Sequence, residues 1–175
     1  TVPTGNVVVF DDDHYYMGGV LAELLMQKGA KVTLITPSAF VSDWTNNTLE
    51  QSTIHRKLDA LGVNIVLNRG VAEIAAGHVV SDCVYTGKTR DYAADAVVLV
   101  TSRNANDQVY HDLLARQEEW ADAGILSVKV FGDAEAAGPI AWATYAGHRY
   151  ARELDGEPIG DALPFRREIT ELAPK

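Results

Sequence analysis

NVVVFDDDHYYMGGVLAELLMQKGAKVTLIT, residues Asn6 to Thr36, runs from an apolar strand through a turn into an amphipathic helix, a glycine and a second strand. Val7 to Phe10 carries no polar residue, the pattern of a parallel strand covered on both faces. Val20, Leu21, Leu24 and Leu25 then recur at helical spacing, and Gly29 stands where a helix stops. Lys31 to Thr36 is a second strand, closed by Pro37. Strand, helix and strand in this order make a βαβ unit, whose crossover is right-handed.

The same alternation continues outward. A loop with Trp44 and Asn46-Asn47 leads to a helix from about Leu49 to Leu61, ended by Gly62, and to a third strand, Val63 to Leu67. Short alternating pieces with glycine turns at Gly77 and Gly87 follow: Val71–Ala75, His78–Tyr85 and Arg90–Tyr92. They read as an antiparallel meander laid on a parallel sheet. Ala96 to Thr101 returns as a buried strand. Beyond Arg103, a polar helix is expected over Asp107–Trp120, an apolar strand over Ser127–Phe131 and an alanine-rich helix over Ile140–Leu154. From Gly156 onward three of the six prolines mark a tail. The fold class is α/β: a Rossmann-like doubly wound parallel sheet with an antiparallel meander, followed by a strand–helix segment of a second dinucleotide-type domain.

A dinucleotide-binding turn needs G-x-G-x-x-G between strand and helix. The glycines make the turn tight, admit the pyrophosphate to the backbone and let helix and strand pack closely. Counted from the end of the strand, those places fall on Asp11, Asp13 and Tyr16. Two carboxylates stand where a pyrophosphate would sit, and Tyr16 adds bulk where none is tolerated. The second strand ends in Thr36-Pro37, with no acid for a ribose and no arginine for a 2′-phosphate. The turn is therefore read as degenerate, and neither NADH nor NADPH is expected to bind. Asp11, Asp12, Asp13 and His14 suggest a cation, but consecutive side chains splay apart and rarely converge on one ion. A structural role, with the carboxylates satisfying helix N–H groups, stands beside an interface or another ligand. Gly18-Gly19 fits helix packing as well as a displaced glycine loop.

A formal charge of -9 argues against nucleic acid, which needs clustered Lys and Arg. Hydrophobic residues make up 47% of the 175, yet no apolar run reaches the ~20 needed to span a bilayer. Neither a signal peptide nor a targeting pattern is visible at the start, so a cytoplasmic protein is the default expectation. Cys83 is the only cysteine, which excludes an intrachain disulfide and a four-cysteine metal or cluster site within the chain. His55, His78, His111 and His148 are scattered without metal-ligand spacing, and no serine or cysteine stands in a nucleophile motif. No catalytic residue and no metal site is predicted.

The second half carries a resemblance. AVVLVTSRNAN, a spacer helix and VKVFGDAEAAGPIAWATYAGHRYARE resemble the tail of two-dinucleotide-domain flavoproteins, where a strand ending T-G-R-x-x-N is followed by a Gly-Asp that reaches the flavin nucleotide. Gly132-Asp133 matches that pair, while Ser102 replaces the glycine before Arg103. With DDDHYYMGG and SDWTNNTLE in the same chain, the whole resembles the C-terminal region of the trimethylamine dehydrogenase family, flavoproteins carrying FMN, a 4Fe-4S cluster and, in some members, ADP. The resemblance implies a nested NAD(P)-type domain over residues 1–103, a linker helix and return segment of an ADP/FAD-type domain over 104–155, and a tail over 156–175. It implies that Gly132, Asp133 and Ala134 face the nucleotide in a longer parent protein, of which this chain is expected to be a fragment. The implied function is the non-catalytic C-terminal portion of an FMN- and 4Fe-4S-dependent amine dehydrogenase, an oxidoreductase. The chain itself is expected to hold no cofactor. Its partners would be the rest of the flavoenzyme, an electron-transferring flavoprotein and further copies in a homo-oligomer. The alternatives are an NAD(P)H-dependent flavin oxidoreductase of the dienoyl-CoA reductase type and a free-standing Rossmann-fold interaction module.

Overall fold

In the computed structural model, which describes residues 2–154 and 156, the apolar run NVVVF forms most of β1 (Asn6–Asp11). α1 (Met17–Gln27) crosses to β2 (Lys31–Ile35), and α2 (Gln51–Ala60) crosses to β3 (Asn64–Val66). A meander of β4 (Arg69–Ala75), β5 (His78–Cys83) and β6 (Thr89–Ala93) then leads to β7 (Ala96–Val100). The parallel sheet has the order β3-β2-β1-β7, and β4-β5-β6 form a separate antiparallel sheet. The α/β reading is correct, meander included.

Alternation along β1 explains why the run is apolar throughout. Val7 and Val9 join Ala22, Leu25, Leu34 and Leu58 in a core under α1 and α2. Val8 points the other way, into a core with Ile35, Val79, Tyr92 and Ala94 that the meander covers. Successive strand residues face opposite sides, so a strand buried on both needs apolar residues at every place.

The chain divides into two compact units between Ser102 and Arg103. The second contains α3 (Gln108–Leu114), single 3-10 turns at Gln117–Glu119 and Gly132–Ala134, and α4 (Ile140–Glu153). Here two expectations are corrected. The helix expected over Asp107–Trp120 ends at Leu114, because Arg116 leaves helical backbone geometry (φ −116, ψ 30) and the chain tightens into a 3-10 turn. Trp120 Nε1–H donates to the Leu113 carbonyl at 2.9 Å and fixes that turn. Ser127–Phe131 is not a strand: among the described residues the second unit holds no strand for it to pair with. Smaller corrections concern ends. The second helix starts at Gln51 because Leu49 takes a left-handed conformation (φ 63), and β5 stops at Cys83 where a turn begins. The expected tail lies outside the described residues, apart from Gly156. No described helix is long and apolar enough to cross a membrane.

Candidate functional site

β1 has β2 on one side and β7 on the other, so strand order reverses at β1. In open α/β sheets ligands bind above the carboxyl ends of the strands at such a reversal. Asp11 ends β1 there and is wholly buried, with 0% of its surface exposed. Its Oδ1 accepts the His14 N–H at 3.1 Å, while Oδ2 is buried without a hydrogen-bond partner. Burial is the main cause that pushes this carboxyl above the ordinary carboxylate range, and the backbone N–H groups of His14 and Asp13 pull it back in part. Asp12 N–H donates to the Val100 carbonyl at 2.8 Å, closing the gap between the ends of β1 and β7.

The glycine that lets helix and strand approach is Gly18, and Tyr16 is not in that place. A Cβ on Gly18 would lie 2.5 Å from the Asp11 carboxyl carbon and from Oδ2. Gly18 is seven positions after Asp11, where the dinucleotide motif has five, so this turn is two residues longer. Tyr16 stands at the N-cap of α1, 47% exposed, and its bulk meets no helix–strand contact. Gly19 serves packing too, since a Cβ there would come 3.2 Å from Ile54 of α2. Nor does Asp11 cap α1: it is held by the loop, and Tyr16 gives the helix no side-chain cap.

The extra length is folded over the strand ends. His14 adopts a left-handed backbone (φ 59), uncommon for a residue other than glycine. Its Nδ1 lies 3.4 Å from the buried Thr36 hydroxyl at the end of β2, and its Nε2 lies 3.4 Å from Asp12. Trp44 N–H donates to the His14 carbonyl at 2.8 Å, and Tyr15 packs edge-on against both Tyr16 and Trp44. Thr36, Trp44 and Gly18 are site residues that counting along the motif misses. Only the Gly-Gly pair gave a signal in the sequence. No group of His, Cys, Asp and Glu among the described residues is arranged to hold a metal.

In the second unit, Gly132 takes a positive φ of 67 and opens a 3-10 turn through Asp133 and Ala134. Asp133 is exposed, and its Oδ1 accepts the Gly138 N–H at 3.3 Å, one residue before the N-cap Pro139. It thus braces the loop that leads into α4, on which Phe131 stacks against Tyr150 with ring centres 5.3 Å apart.

With this geometry in place, the comparisons narrow the field. Residues 3–114 match the family described as the OYE-like second alpha/beta domain. Dimethylamine dehydrogenase of Hyphomicrobium sp. (strain x) is 32% identical over 180 residues, which cover 93% of this chain and 24% of that protein. The structure of histamine dehydrogenase from Rhizobium sp. 4-9 matches at 63% identity and a TM-score of 0.89, over 99% of this chain and 27% of that one. 6-Hydroxypseudooxynicotine amine oxidase of Pseudomonas geniculata N1 matches at 39% identity and a TM-score of 0.76, over 85% of this chain and 22% of that one. The chain spans about a quarter of the length of these relatives.

Proposed function

This chain belongs to the OYE-like second alpha/beta domain family, in the C-terminal region of trimethylamine dehydrogenase-type proteins, and we propose that it is the non-catalytic portion of a flavin-dependent amine dehydrogenase. The single observation that carries the reading is the 63% identity to histamine dehydrogenase over 99% of the chain. Histamine is therefore the first amine to test, ahead of dimethylamine. FMN and a 4Fe-4S cluster would lie elsewhere in the longer protein: a cluster needs four thiolates, and this chain has one cysteine.

ADP is the cofactor this chain would help to hold. Gly132 supplies the positive φ of the turn and lies close to Ala143 of α4, which a Cβ would meet at 3.4 Å, and exposed Asp133 keeps acceptor capacity beyond its bond to Gly138. These two residues and Ala134 fit one edge of a nucleotide site, the remainder coming from the rest of the protein. Asp11 at the end of β1 counts against hydride donation from NADH or NADPH through the first unit. Electrons would instead leave to an electron-transferring flavoprotein, and the enzyme would work as a homo-oligomer in the cytoplasm.

The test uses the full-length protein and a dye acceptor. Histamine should bleach the dye, and NADH should leave it unchanged. Dye reduction by NADH with no response to any amine would replace this reading with a pyridine-nucleotide-dependent flavin reductase.

A further inference from the structure

We draw no further inference here: the strongest candidate, the apolar cleft between α1 and α2 that Val20, Ile54 and Leu58 line beside the Glu23–Lys57 ion pair, carries none, because nothing in the structure shows what covers it.

Discussion

Asp11 is an acid that the fold buries completely at the end of β1, and its protonation ties that burial to pH. Burial raises its pKa in the folded state, so its contribution to stability is complete below the ordinary carboxylate pKa. That contribution is lost as pH rises through the raised value. Asp11→Asn cannot ionise, so its Tm relative to the unsubstituted chain should climb as pH rises above the ordinary carboxylate pKa. A difference that stays flat with pH would mean that Oδ2 finds a donor. Gly18→Ala forces a methyl into that carboxyl and should destabilise by about 1–3 kcal/mol in urea titrations. At the other candidate site, Asp133→Asn retains an oxygen that can accept the Gly138 N–H, so the loop before α4 should hold. In the full-length protein the same change should lower ADP content after gel filtration. Equal ADP in both proteins would take Asp133 out of the nucleotide site.

At the scale of elements, β1 carries the first unit because both cores rest on it. Leu58 of α2 belongs to the core on one face and Val79 of β5 to the core on the other, and both are almost fully buried. Leu58→Ala should cost about 2–5 kcal/mol. Val79→Ala deletes less and should cost about 1.5–2 kcal/mol from the apolar groups removed. Both should shift the same unfolding transition. A Val79→Ala midpoint equal to that of the unsubstituted chain would mean that the meander melts separately from the sheet. This two-sided burial also explains what sequence could reveal. The valines of β1 are legible as a parallel strand because burial on both faces leaves no polar position, whereas β7, expected to be buried, buries only Val100 and leaves Leu99 55% exposed. The meander is legible from its alternation and from Gly77 and Gly87, which both take positive φ. Ser127–Phe131 has a similar pattern and forms no strand, since apolar alternation records burial and a strand also needs a neighbour to pair with. In the turn, acids in place of glycines were visible in the sequence, but the two-residue extension was not. Counting from the strand put Tyr16 where Gly18 belongs, and only the approach of Gly18 to Asp11 fixes the register.

At the scale of the whole molecule, the two units differ in how they satisfy their apolar residues. The first encloses two cores around one sheet. In the second, none of the α3 or α4 residues is fully buried. Leu126 is 96% exposed and Ile140 83%, and Trp142 and Tyr145 are exposed on the same helix as Ile140. Single exposed apolar residues are ordinary, but several large ones on one helix and its approach mark a surface made for contact. Under the proposed function, the rest of a protein such as histamine dehydrogenase, of which this chain covers 27%, would supply a partner for that surface. Contact of that kind removes side chains from water, and hydroxyl-radical footprinting reads it directly. Trp142 and Tyr145 should be oxidised readily in the isolated 175-residue chain and protected several-fold in the full-length protein. Tyr16, exposed at the N-cap of α1 in the first unit, serves as the internal reference, because the proposed contact involves the second unit alone. Equal oxidation of Trp142 and Tyr145 in the two proteins, with Tyr16 unchanged, would show that α4 is not where this region joins the rest of the enzyme.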